Sequence, residues 1–147
     1  MRIDIVKLFE DGQIKQNEKI DFSTWKTSDA LIKKIKDVDV DIDAIAINND
    51  EFSINLEYVV NVIYLDANDL KELDLVFDYT DNLLFTINSE KESDEILFCE
   101  NNEVLEIDQY VFELACLNLP LNYSKVKREY TPLDSENNNP FKDAFKK

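Results

Sequence analysis

The chain has 147 residues, with 32 Asp and Glu against 16 Lys and Arg and a formal net charge of −16. It contains no histidine and one glycine, Gly12. That excludes histidine-based nucleophilic catalysis, histidine-ligated metals, glycine-rich phosphate loops and the dinucleotide fingerprint.

The length suits one domain with a real core. We expect an α+β core over 1–120, and a basic connector, mobile linker and short C-terminal helix over 121–147. Residues 121–147 carry six bases against four acids, a net of +2, which leaves ten against 28, or −18, in the first 120. A body so acidic repels phosphate backbones and attracts basic partners; a solvated, soluble surface is the plainer meaning. No apolar run approaches the roughly 18 residues that cross a bilayer. The opening MRIDIVKLFEDG carries acids too early for a signal peptide, so a cytoplasmic location and no membrane partner are expected. Cys99 and Cys116 lie far apart among apolar residues and read as buried free thiols.

In chain order, residues 2–8 alternate and predict a first strand with Ile3 and Ile5 on one face. Asp11-Gly12 is a turn, and 19–25 (KIDFSTW) a strand or extended arm with Ile20 and Phe22 inward. Residues 27–36 (TSDALIKKIK) predict a short helix capped by Ser28. There Asp29 suits the positive end of the dipole and Lys33, Lys34 and Lys36 the negative end. In 38–43 (VDVDID), alternation predicts a half-exposed strand with Val38, Val40 and Ile42 inside. Asn48-Asn49-Asp50 is a turn. Phe52 to Tyr64 then hold period two, and the apolar drift of the opposite face predicts a strand covered on both sides near 59–63. Acids in 66–74 suggest a calcium loop, but Leu70 stands at a ligand place and the required glycine is missing. Leu73, Leu75, Phe77 and Tyr79 form a further strand, Asp81-Asn82 a hairpin turn, and Leu83, Phe85 and Ile87 the return strand. A polar loop (88–94), a short strand (95–99) and a turn at Asn101-Asn102 lead to residues 104–120. The sum is one α+β domain, with a mostly antiparallel sheet, curled or partly closed into a barrel, and two or three short helices.

Residues 104–120 (VLEIDQYVFELACLNLP) read as a strand end, a cap and a short helix. Asp108 is the expected N-cap. Ile107, Tyr110, Val111, Leu114 and Leu117 fall on one stripe, and Pro120 ends the helix and biases Leu119 toward extended backbone. The order of Ile107, Asp108, Tyr110, Val111, Glu113, Leu117, Leu119 and Pro120 resembles the C-terminal signature of the YceD-like family, which is linked to accumulation of large-subunit (23S) ribosomal RNA. MRIDIVKL followed by KIDFS, and DEILFCENNEVLEID before the helix, follow the family's order. Many members carry a Cys-x-x-Cys pair in one connection. Here Asp66 and Asp69 stand in its place, so that cysteine-dependent feature is absent.

Beyond Pro120, residues 122–130 mix Lys125, Lys127 and Arg128 with Tyr123 and Tyr130. Bases beside aromatics can hold single-stranded RNA; a polar connector laid over the core is the plainer reading. Residues 132–138 are nearly devoid of apolar content and read as the mobile linker. Asn139-Pro140 opens the last short helix, with Phe141 and Phe145 on one face. The family's Asp-Pro-Arg becomes Asn139, Pro140 and Phe141, with Lys142 the nearest base.

The resemblance implies a non-enzymatic factor for large-subunit ribosomal RNA processing or accumulation, with neither cofactor nor metal. The charge distribution, and not the resemblance, suggests that a basic ribosomal or processing protein would meet the acidic body. Ribosomal RNA or a second partner would meet Tyr123, Lys125, Lys127, Arg128, Tyr130, Phe141, Lys142 and Phe145. Two alternatives stand beside it: an acidic escort that mimics nucleic acid, and a metal-dependent hydrolase using Asp37, Asp39, Asp66 and Asp69 if these converge.

Overall fold

Period-two alternation in four successive segments builds an antiparallel meander of long strands. In a computed structural model that describes residues 1–120, these are β2 (Gln13–Asp21), β3 (Ile32–Ala46), β4 (Glu51–Leu65) and β5 (Glu72–Thr86). A two-residue strand, β6 (Leu97–Phe98), pairs parallel with the end of β5, so the mixed sheet runs β2-β3-β4-β5-β6 and does not close into a barrel. β1 (Arg2–Asp4) and β7 (Val104–Glu106) make a second, two-stranded sheet. Two helices, α1 (Ile5–Asp11) and α2 (Asp108–Asn118), complete an α+β domain.

Alternation sorts the sheet into two faces. Val38, Val40, Ile42 and Ala44 of β3 and Phe52, Ile54, Leu56, Tyr58, Val60, Val62 and Tyr64 of β4 all point into the core. Ile20 and Phe22 join them as expected. Each large side chain buried this way contributes about 1.5–3 kcal/mol. On the opposite side of β4 Val59 is 37% exposed and Asn61 and Ile63 are half-buried, and among the described residues no element supplies the expected cover on both faces near 59–63. The two helices pack on the inner side, and the apolar drift of 59–63 is no sign of a second layer.

Three segments depart from their local signals. Residues 27–36 are not a helix. Asp29 instead closes a turn through its carboxylate and carbonyl, bonded to the amides of Leu31 (2.9 Å) and Ile32 (3.1 Å), and β3 begins at Ile32. Register shifts between Ile32 and Lys34 and between Ile35 and Asp37 let Ile32, Ile35 and Val38 all face inward. Bulges thus give a strand the three-residue spacing of a helix. Lys33 and Lys36 pair with Glu72 and Asp74 and have no helix dipole to complement. The first strand likewise stops at Asp4, whose carboxylate caps α1 by accepting the Lys7 amide at 3.0 Å. Ile5 and Leu8 become the buried side of that helix, and Gly12, at φ 86°, ends it in the left-handed conformation that glycine tolerates.

Asp81-Asn82 is not a hairpin. β5 continues through it, paired with β4 from Glu72 opposite Leu65 to Thr86 opposite Glu51. The parity of Leu73 to Tyr79 carries through Asp81 to Leu83 and Phe85, so long-range pairing overrides the local turn signal. The real turns lie at Asn48, whose side chain accepts the Asp50 amide, and at Asp66, which accepts the Asn68 amide. The short strand expected over 95–99 shrinks to Leu97–Phe98.

α2 exists, but its cap and seat differ from expectation. Ile107 is the N-cap and makes no side-chain cap bond. Asp108 lies inside the first turn and accepts a hydrogen bond from the Met1 amino group at 2.5 Å. The buried side holds Ile107, Val111, Phe112, Ala115 and Leu119, while Leu117 is 81% exposed. Phe112 stacks into a cluster with Phe22 and Trp25, ring centroids 5.2 and 4.9 Å away. Leu119 is extended, as the following proline requires. Cys99 is buried and Cys116 half-buried; both are free, and burial pushes both thiols up.

Candidate functional site: the acidic open face of the sheet

The register of the meander assembles an acidic field that no single segment displays. Along β3, Asp37, Asp39, Asp41 and Asp43 share the outer face at every second residue, about 6.6 Å apart. Pairing sets Glu57 of β4 opposite Asp41, and Val59 opposite Asp39 on one side and Asp78 of β5 on the other. Asn17, Lys15 and Lys19 of β2 border the row opposite Asp41, Asp43 and Asp39. A shallow depression in this surface is lined by Asn17, Asp39, Asp41, Glu57, Asp78 and Thr80.

The hydrogen bonding of these carboxylates is mostly met by neutral amides. Asn17 Nδ2 donates to Asp39 Oδ1 (3.0 Å) and Asp41 Oδ1 (2.7 Å). Gln13 Nε2 donates to Asp43 (2.7 Å), and Asn61 Nδ2 to Asp37 (2.6 Å). An amide satisfies the oxygen's lone pairs and leaves the charge uncancelled. The ion pairs of the described residues lie elsewhere, at Arg2–Glu106, Lys33–Glu72, Lys36–Asp74, Lys91–Asp50 and Lys91–Glu51 and at the Met1 amino group. The centre of the sheet is therefore a concentrated negative potential rimmed by cancelled charge. Like charges directly opposite, such as Asp41 and Glu57, oppose folding by about 0.2–1 kcal/mol.

A second polar cluster fastens α2 to the sheet. The Tyr58 hydroxyl donates to Asp81 Oδ2 at 2.5 Å and accepts from Asn118 Nδ2 at 2.7 Å; Asn118 also donates to Asp81 at 2.9 Å. Burial, and then the bond to Asp81, push the Tyr58 phenol well above its ordinary range. It is a locked donor and makes a poor nucleophile.

The residues of the helical signature are largely structural. Ile107, Val111 and Leu119 are core, and Tyr110 meets Phe85 edge-on at 5.2 Å. Asp108 holds the amino group of Met1. The Pro120 carbonyl accepts the Tyr64 hydroxyl at 2.5 Å. Glu113 accepts a bond from Gln109 on the exposed side, where Leu117 also lies. The carboxylates of the hydrolase alternative are separated: Asp37 and Asp39 are on the outer sheet face, Asp66 and Asp69 in the β4–β5 turn. Among the described residues, no three His, Cys, Asp or Glu side chains group as a metal site.

Tyr123, Lys125, Lys127, Arg128, Tyr130, Phe141, Lys142 and Phe145, and the linker and final helix expected around them, lie outside the described residues. The participants that sequence reading missed are Asn17, Glu57 and Asp78. Their signal was the outward parity of the three strands, which becomes a surface only once the register is known. No helix among the described residues is long and apolar enough to cross a membrane. Comparison with family models, with curated proteins and with solved structures finds no match for the chain.

Proposed function

We propose that this protein is a non-enzymatic, cytoplasmic binding factor that supports accumulation of large-subunit ribosomal RNA. It does so by holding a basic ribosomal or RNA-processing protein on the open acidic face. The observation that carries the binding role is that Asp37, Asp39, Asp41 and Asp43 of that face accept hydrogen bonds from amides and, among the described residues, form no ion pair. A partner's Lys and Arg side chains supply the missing charge, and such association is fast and weakens as salt rises. The ribosomal context rests on the resemblance carried by Ile107 to Pro120.

The test is depletion of the protein in its own cell, with the ratio of large- to small-subunit ribosomal RNA as readout. Add-back of the chain carrying Asp39→Asn, Asp41→Asn, Glu57→Gln and Asp78→Asn follows. A selective fall of the large-subunit species, restored by the unaltered chain and not by the variant, is expected. An unchanged ratio after verified depletion overturns the ribosomal context, and full restoration by the variant overturns the role of the face.

The linear row from Asp37 to Asp43 favours a second reading, an acidic escort that mimics a phosphate backbone without any ribosomal role. Under it the ratio stays constant, while a basic protein purifies with the unaltered chain and not with the variant.

A further inference from the structure

Two strands leave one side unpaired around a single groove. Among the described residues, β7 pairs only with β1, and β6 only with the end of β5. The Ile5 amide donates to the Glu103 carbonyl (2.9 Å) and the Ile107 amide to the Met1 carbonyl (3.1 Å), which makes Ile3 and Leu105 the bonded pair of the ladder between them. Antiparallel alternation then turns the Val104 carbonyl, and the Glu106 amide and carbonyl, away from β1. On β6 the Cys99 amide donates to the Thr86 carbonyl at 2.8 Å, which turns the Phe98 amide and carbonyl away from β5. Among the described residues, none of these outward groups has a backbone partner.

Both strands line one groove of about 770 Å³, a size in the range of ligand sites. Phe98, Val104 and Tyr110 form its apolar part and are half-buried. Its charged residues are Arg2, Glu92, Glu100 and Glu106. Arg2 is matched by Glu106 at 2.5 Å. Glu92 and Glu100 are exposed and form no ion pair among the described residues. Open strand edges are templates for an added strand. A helix could not use them, because its own amides are bonded internally. Alternation in a strand would set apolar side chains on the groove and bases toward the two free carboxylates.

We infer that this groove takes a short extended segment of a partner protein, added as a strand between β6 and β7 and alternating apolar with basic residues. Its apolar side chains rest on Phe98, Val104 and Tyr110, and its Lys or Arg side chains reach Glu92 and Glu100. The segment is short because β6 runs two residues and β7 three. The groove shares no lining residue with the acidic depression of the outer face. The inference is independent of that face and of the ribosomal context.

The test uses the full chain and an end-blocked peptide of alternating lysine and valine. In the free chain the Phe98 and Glu106 amides are expected to exchange rapidly with solvent, and saturating peptide to slow both by about tenfold or more. The same peptide N-methylated at every amide keeps its charges and valines but cannot complete a ladder, and is expected to bind at least about tenfold more weakly. Glu92→Gln with Glu100→Gln is expected to weaken the unmethylated peptide by roughly three- to tenfold. Asp39→Asn with Asp41→Asn on the outer face is expected to leave the slowing of both amides in place. No binding, binding that leaves Phe98 and Glu106 unprotected, equal binding of the methylated peptide, or indifference to the Glu92 and Glu100 changes overturns the inference. Protection of both amides in the free chain overturns it too. Protection that grows with protein concentration does so in favour of a second copy, and protection that does not in favour of cover by the chain itself.

Discussion

Replacing Phe112 by alanine tests how α2 is seated, and Leu117→Ala is its control. Phe112 is 7% exposed and packs against the touching rings of Phe22 and Trp25, whereas Leu117 is 81% exposed. Truncating a buried phenylalanine costs about 3–5 kcal/mol, and two aromatic neighbours place this site toward the middle of that range, near ~4 kcal/mol. Exposed Leu117 should cost less than ~0.5 kcal/mol. With a urea m-value of about 2 kcal/mol/M, Phe112→Ala lowers the unfolding midpoint by roughly 2 M and Leu117→Ala leaves it in place. Trp25, the chain's single tryptophan, touches Phe112 and reports the transition by fluorescence. Equal losses for the two variants, or a larger loss for Leu117→Ala, would refute this seating. Such a result would require a helix turned by roughly 140° about its axis.

Asp41→Asn removes one charge opposite Glu57 and keeps an acceptor for Asn17. It should raise stability by about 0.2–1 kcal/mol at low ionic strength, a gain that shrinks at high salt; urea midpoints at two salt concentrations measure it. A loss at low salt would mean the face is not strained by its charge. Gly12→Ala should lower stability by about 1–2 kcal/mol, because the backbone there is left-handed, although no atom lies within 4 Å of the added methyl. Gly12→Asn should be milder in the same thermal melts. The phenols of Tyr58, Tyr64, Tyr79 and Tyr110 are all raised, chiefly by burial. Above the ordinary tyrosine value of 10.0 the unfolded chain gives up protons that the folded chain retains. Stability should therefore be flat in this respect below pH 10 and fall as pH rises beyond it. Denaturation midpoints together with the tyrosinate absorbance follow this, and a midpoint that rises above pH 10 would contradict the burial.

What could be read from the sequence was whatever a single strand expresses by itself. Phe52 to Tyr64 announce both strand and inward face, because every second residue from Phe52 is apolar and the sheet buries one side. The α+β class follows from counting such segments. Residues 27–36 misled because Ser28, Asp29 and the lysines imitate a capped helix, whereas Asp29 closes a turn and bulges let Ile32 and Ile35 face inward from a strand. Asp81-Asn82 misled because turn chemistry is local, while the partner that holds Asp81 in the strand, Tyr58, is distant in sequence. Asp108 misled because its ligand, the Met1 amino group, lies at the other end of the domain. The acidic row on β3 was visible. Its extension to Glu57 and Asp78 depends on register, a property of pairs of strands.

The clasp between β1 and β7 also bears on how the domain comes together in time. Each long strand of the meander pairs with its neighbour in sequence, but Ile3 pairs with Leu105, and Met1 bonds to Asp108 across 107 residues. Closing so large a loop in an unfolded chain is entropically unfavourable, and contacts of long separation slow folding. A formed meander shortens that loop by fixing most of the residues in between. Sheet first and clasp last is therefore the favoured order, with α2 shutting the core only as the two ends meet. During synthesis the apolar side of the sheet, with Phe22 and Trp25, must wait for Phe112 to arrive.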